Sequence, residues 1–254
     1  MLEARGLTKY YSAITGVRDV NFQAQPGSVL GLLGPNGSGK STTVGMLTGL
    51  LEPSGGLVLL NGVDMRADLL QYKQQLGYVP EEAQLYTWMS GAEYLTFCAR
   101  LRGLSDARSA RRIDALLGIF GLDLDRDAPM SAYSKGMRQK ILLSAALLHN
   151  PSIVVLDEPC SGLDVGATLV IRSLIKRLSA SGRIVIYSSH ELEMVEKVCT
   201  DVLILREGRV AAHATTAVLR EQVNAASLED AFRALVFTTD VDAVAGDIIA
   251  AITH

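Results

Sequence analysis

Short apolar runs alternate along this chain with stretches in which apolar side chains return every three or four positions. The run Val29 to Leu33 is followed by Gly34-Pro35-Asn36-Gly37-Ser38-Gly39-Lys40-Ser41-Thr42, and then by Val44, Met46, Leu47 and Leu50 at helical spacing. That succession predicts a strand, a glycine loop and a helix. Further strands are predicted at Leu57 to Leu60, Leu76 to Val79, Ile153 to Leu156, Ile184 to Tyr187 and Val202 to Leu205, most of them near continuous in apolar character. Continuous runs suit a sheet covered on both faces, and the helical patterns between several of them predict a mainly parallel α/β sheet.

Residues 89–150 break this rhythm. Ala92 to Leu101, Ala107 to Phe120 and Lys135 to Leu148 all carry helical spacing with no strong strand between them, which predicts a helical insertion. Past Gly208 the pattern weakens, although Ser227-Leu228-Glu229-Asp230 has the form of a capped helix start. The predicted organisation is a core from residues 1–88 and 151–213, a helical insertion over 89–150 and a C-terminal extension over 214–254.

Composition adds exclusions. Of the 254 residues 48% are apolar and 20% charged, and 24 Lys plus Arg against 27 Asp plus Glu leave a net charge of −3. Such a balance excludes a disordered chain and a nucleic-acid binder that works through bulk positive charge. The excess lies in the C-terminal segment with Asp240, Asp242 and Asp247, which has no Lys or Arg. Cys98, Cys160 and Cys199 are odd in number and lack CxxC spacing, which predicts a reducing compartment. No apolar run approaches the roughly 18 residues of a spanning helix, and the start MLEARGLTKYY has no signal-peptide core, so a soluble intracellular protein is expected.

The glycine loop carries the chemistry. Gly34-x4-Gly39-Lys40-Ser41 has the spacing at which backbone amides wrap a phosphate chain, Lys40 reaches the β and γ phosphates and Ser41 ligates Mg²⁺. Chance supplies that pattern in about one of a hundred chains of this length, and the strand-then-helix context lowers the figure. A second element follows at Ile153 to Glu158, an apolar strand ending in two carboxylates. Because strand side chains alternate, Asp157 and Glu158 should point differently, one toward a metal shell and one toward an attacking water. Together the two elements read as a nucleoside triphosphate hydrolysis site.

From about residue 2 to 213 the chain resembles the ATP-binding cassette ATPases, and the resemblance rests on motif order. Tyr133-Ser134-Lys135-Gly136-Met137 stands where the family has its LSGGQ signature, Ser161-Gly162-Leu163-Asp164 looks like the D-loop, Ser189-His190 like the switch histidine, and Tyr11 sits where an aromatic ring stacks on adenine. The resemblance implies a P-loop NTPase (RecA-like) core with an antiparallel β subdomain and an inserted helical subdomain. It implies that Gly34, Pro35, Asn36, Gly37, Ser38, Gly39, Lys40, Ser41 and Thr42 bind ATP, with Ser41, Glu81 and Asp157 at Mg²⁺ and Glu158 and His190 catalytic. Two cassettes would pack head to tail, so that Ser134, Lys135, Gly136 and Met137 act on the partner's site and Asp164 faces it.

Simpler roles stand beside these. His190 is also placed to cap the helix that follows, Ser134 is a good N-cap, Tyr10 competes with Tyr11 for the adenine, and Cys160 fits as a small residue in a tight turn. Two departures from the family pattern matter. Glu81 replaces the usual glutamine after Gly77-Tyr78-Val79-Pro80, and Lys135 and Met137 replace glycine and glutamine in the signature. Both are similar to cassettes of bacterial exporters whose permease is a separate polypeptide. The resemblance therefore implies ATP-driven export, with the chain cytoplasmic and held on the inner face of the membrane through that permease. The alternative is a soluble cassette acting on ribosomes or nucleic acid. Against it stand the single cassette and a stretch from Ser41 to Ser134 too short for a long coiled coil, and no nucleic-acid partner is expected. Tyr86, Trp88, Met89 and Tyr94 have the character either of a permease groove or of core residues of the insertion.

Overall fold

The computed structural model describes residues 1–11, 14–82, 84–236 and 241–253. The C-terminal extension thus includes residues 237–240 and 254, which lie outside the described residues. Chain order is β1 (Leu2–Tyr11), β2 (Ile14–Ala24), β3 (Val29–Leu33), α1 (Lys40–Leu47), β4 (Gly55–Leu60), β5 (Val63–Asp64), α2 (Leu69–Gln74) and β6 (Leu76–Val79). Then come α3 (Gly91–Leu101), α4 (Asp106–Ile119), α5 (Lys135–Leu147), β7 (Ile153–Asp157), α6 (Val165–Ala180), β8 (Ile184–Ser188) and α7 (Leu192–Val198). The chain closes with β9 (Asp201–Arg206), β10 (Arg209–Thr215), α8 (Thr216–Gln222), α9 (Leu228–Val236) and α10 (Val241–Thr253).

Every residue of β3, β7 and β8 is buried. The period of two divides their side chains between two apolar layers. Leu30, Leu32, Ile153, Val155, Ile184 and Ile186 join one core with Val44, Met46 and Leu47 of α1, whereas Val29, Leu33, Val154, Leu156, Val185 and Tyr187 join another with α5, α6 and α7. The six-stranded sheet has the order β10-β9-β3-β8-β7-β6, with β9 to β6 parallel and β10 added antiparallel. A two-residue turn at Glu207 and Gly208, both with positive φ, makes that last hairpin.

A four-stranded antiparallel sheet, β2-β1-β4-β5, covers the outer side of α1 through Leu2, Leu7, Val17, Val20 and Val58. The fold is the expected P-loop α/β core with an antiparallel β sheet and inserted helices. Periodicity alone did not reveal β1. Its register shifts between Ala4 and Leu7 and again before Tyr10, so the alternation of two is interrupted.

The helices α3, α4 and α5 form a core of their own around Leu95, Leu117, Met130, Tyr133 and Ile141. Helix α3 begins with a reciprocal cap, in which the Ser90 hydroxyl accepts from Glu93 N at 3.2 Å and Glu93 Oε2 accepts from Ser90 N at 2.8 Å. Such a cap is worth about 1 kcal/mol. The C-terminal α8 and α9 pack beside α7, with Leu219, Leu228 and Val236 buried in the second sheet layer.

Candidate active site

In a parallel sheet the loops that leave the carboxyl ends of neighbouring strands meet at one edge. Here β3 ends at Leu33, β7 at Asp157, β8 at Ser188 and β6 at Val79. These ends enclose a cleft of about 810 Å³, lined by Gly34 to Gly37, Gly39 to Thr42, Glu81, Asp157, Glu158 and Ser188 to His190.

The loop between β3 and α1 has its shape because residue 34 lacks a side chain. Gly34 has φ 153°, and a Cβ there would lie 2.3 Å from Ser38 Oγ and 2.4 Å from Leu205 O. No other residue fits. Among the described residues the buried Ser38 hydroxyl has no hydrogen-bond partner, and a phosphate oxygen would satisfy it. Lys40 Nζ donates to Gly34 O at 2.6 Å and Pro35 O at 3.1 Å, so its ammonium curls over the loop. Burial lowers the Lys40 pKa, and the carboxylates of Glu158, Asp157 and Glu81 oppose that shift.

Alternation along β7 separates the two acids. Asp157 follows Ile153 and Val155 toward α1 and the phosphate loop, and Glu158 turns away at φ 46°. Burial raises the Asp157 pKa, and the neighbouring Glu81 and Glu158 act in the same direction, whereas Ser188 and Lys40 oppose it. Three carboxylates therefore converge on one lysine. Among the described residues no group of three or more His, Cys, Asp or Glu is placed to hold a metal. What the cleft offers is an oxygen-only set, the Ser41 hydroxyl with the Asp157 and Glu81 carboxylates, and this matches Mg²⁺ better than a softer ion.

The side chain of Glu158 is held from one side. Its Oε1 accepts from His190 N and lies 2.8 Å from His190 Nδ1, and its Oε2 accepts from Ser189 Oγ at 3.2 Å. His190 is itself 78% exposed on its side chain. It does not cap α7, whose N-cap is Glu191, with Ser189 Oγ accepting from Glu191 N.

Tyr11, at the end of β1, places its hydroxyl 3.4 Å from Thr42 Oγ1, whereas Tyr10 turns to the other side and its backbone N donates to Ser54 Oγ. Ser134 is the N-cap of α5, its Oγ accepting from Met137 N at 3.2 Å, and Asp164 caps α6 through Ala167 N at 2.8 Å. None of Ser134, Lys135, Gly136, Met137 or Asp164 lines the cleft. The structure thus brings the phosphate loop, both acids, Glu81 and His190 together and leaves the segment 133–137 outside.

Gly16, Ser188, Leu192 and Phe232 also line the cleft and escaped the sequence reading. Leu192 and Phe232 form an apolar end of the cleft beside His190. The helix Leu228–Val236 is legible in sequence, but nothing in its pattern indicates that it folds back on α7.

Residues 17–161 match the family model described as ABC transporter. The chain belongs to that family. It is 34% identical over 215 residues to the linearmycin resistance ATP-binding protein LnrL of Bacillus subtilis (strain 168), covering 85% of this chain and 69% of that protein. The ABC-type transporter ATP-binding protein EcsA of the same organism is 34% identical over 237 residues, covering 91% of this chain and 95% of EcsA. A solved structure of the ATP binding subunit of an ABC transporter superimposes with TM-score 0.87 at 34% identity, covering 92% of this chain and 99% of that one. The protein is an ABC-type ATPase, an ATP-binding cassette.

The contact between Glu158 and His190 makes the cassette pH-sensitive at a definite place. The hydrogen bond from the ring to Glu158, followed by the carboxylate's charge, raises the His190 pKa above its ordinary value. The contact therefore adds stability that is complete below the ordinary histidine value and is lost as pH rises through the raised one. An NMR titration should place the His190 midpoint above that of a free histidine, and Glu158→Gln should bring it back down.

Proposed function

We propose that this cassette powers a separate membrane permease, in the export direction, and that it works as a head-to-tail pair with a second copy of itself or a homologous cassette. The observation that carries this reading is the separation of the signature from its own cleft. Ser134 and Lys135 are exposed at the start of α5, and the amino-terminal end of a helix with a serine hydroxyl stabilises phosphate charge. A second chain is what such a helix start would serve.

In that pair the amides of Asn36 to Gly39 cradle the phosphates, Lys40 holds the β and γ oxygens, and Tyr11 stacks on the adenine. Ser41, Asp157 and Glu81 would hold Mg²⁺, which would supply charge neutralisation at the phosphates. Glu158 orients the attacking water and takes its proton. His190 in this structure occupies Glu158 Oε1 with two donors, which keeps the base engaged; moving the imidazole to the γ-phosphate frees that oxygen for water. Asp164 faces the partner site.

Among the described residues no helix is long and apolar enough to cross a membrane, which is consistent with an engine attached to a permease and peripheral on the cytoplasmic face. Export is supported by the resemblance to LnrL, whose name states resistance. Tyr86, Trp88 and Phe97 are exposed, with Trp88 at 76%, and ring centroids 6.0 to 6.1 Å from Tyr86 make them one aromatic patch. Tyr94 joins it at 6.4 Å. A patch of this kind is suited to receive a short amphipathic helix of the permease.

Three experiments test the reading. Glu158→Gln should retain ATP binding, slow hydrolysis by about 10² to 10⁴-fold and accumulate an ATP-bound dimer on size exclusion; normal turnover removes Glu158 from the base role. Glu81→Gln should change the Mg²⁺ dependence of hydrolysis, and an unchanged dependence detaches Glu81 from the metal. Native purification should recover a membrane protein with the cassette, and recovery with ribosomes or nucleic acid instead sinks the transport reading.

A further inference from the structure

The residue that departs most from the family's signature pattern has an unexpected partner. Lys135 Nζ donates to Ser161 Oγ of the same chain at 2.8 Å. Ser161 lies in the loop that leaves Glu158, and its own N donates back to Glu158 O at 3.1 Å. Two hydrogen bonds therefore connect the first residue of α5 to the carboxylate-bearing residue of the cleft.

Other contacts make the connection specific. Gly162 has φ 77°, and a Cβ there would lie 2.6 Å from Lys135 Cδ and 3.0 Å from Cε and Cγ, so the lysine stem lies flat along the loop backbone. One turn later on the same helix face, Gln139 is buried and its Nε2 donates to Pro159 O at 3.1 Å. Gly136 closes the space between, since a Cβ on it would meet Gly162 O at 3.5 Å and Leu163 Cδ2 at 3.6 Å. Helix α5 thus grips residues 159–163 with a buried amide inside and an exposed ammonium at the rim. Among the described residues no carboxylate forms an ion pair with Lys135. Glu158 sits in the left-handed region, which costs a non-glycine residue free energy and persists only where the surroundings hold it.

We propose that Lys135 is a positioning residue that straps the signature helix to the Ser161 loop and so holds Glu158 in register for hydrolysis. This rests on the proposed role of Glu158 and deepens it. A glycine at position 135 has no arm to make the strap, so the departure from the family pattern gives this cassette a link between the helix start that meets the partner and the base in its own cleft.

The test is a double-mutant cycle on the full chain, reading ATP hydrolysis, ATP half-saturation, ATP-dependent dimerisation in the Glu158→Gln background, and thermal midpoint. Lys135→Met keeps the stem and removes the ammonium, and Ser161→Ala removes the acceptor. Each should lower kcat about three- to tenfold, the range of a typical intramolecular hydrogen bond, with half-saturation within about twofold. The double variant should be no slower than either single one, and Lys135→Arg should recover part of the rate. Additive losses, an unchanged kcat in Lys135→Met, or losses that follow the thermal midpoint overturn the strap. Weakened ATP-dependent dimerisation in Lys135→Met also overturns it, because it would place the ammonium on the partner's phosphate instead. Normal turnover by Glu158→Gln would remove the site reading itself, an outcome distinct from each of these.

Discussion

The constraint on which the rest depends is that three consecutive strands of the sheet, β3, β8 and β7, must be apolar on both faces. Each has a layer on either side, so none carries a charged side chain until it emerges at the carboxyl edge. Chemistry is therefore concentrated at the strand ends. Gly34 begins one end, Asp157 terminates another and Ser188 the third, and the alternation inside each strand decides which way the terminal side chain points. Asp157 faces the phosphate loop because Val155 and Ile153 face α1. The direction of the Asp157 carboxylate is thus set by how core isoleucines and valines are shared between two layers.

Electrostatics follows from that placement. Lys40 is half-buried and would be expensive to keep charged alone, and Asp157 is buried and faces the same difficulty with the opposite sign. Each offsets the other in part. Glu81 upsets the balance by adding a third carboxylate near one ammonium, so the cleft has surplus negative charge that a divalent cation would compensate. This is a physical reason to regard glutamate at position 81 as consequential, although it keeps the same oxygen geometry as glutamine.

The parts legible in the sequence are those whose signals are local. The phosphate loop follows from glycine spacing, and β3, β7 and β8 follow from continuous apolar runs. What stayed hidden depends on tertiary contact. Strand β1 loses its period to bulges, α2 and β5 are short, and Phe232 reaches the cleft only because Leu228 and Val236 bury themselves against α7. The partner of Lys135 was equally unreadable. The family resemblance assigns Lys135 to the partner's site, whereas the ammonium lies on Ser161, a contact across 26 residues that no spacing rule specifies.

The helical insertion gives these separate features a mechanical relation. The aromatic patch lies next to the Ser90 cap that starts α3, and the signature-like segment lies at the start of α5; Tyr94 from the first and Met137 from the second pack against the core around Leu95, Tyr133 and Ile141. Tyr133, the residue before Ser134, donates its hydroxyl to Asp125 O at 2.6 Å, and its ring closely approaches Gly91, the first residue of α3. A close-packed core of this kind transmits displacement because it cannot be compressed locally. A partner helix seated on Tyr86 and Trp88 would therefore move Ser134 and Gly136 with it. The grip of Gln139 and Lys135 on residues 159–163 extends that series of packed contacts from α5 to the loop that follows Glu158.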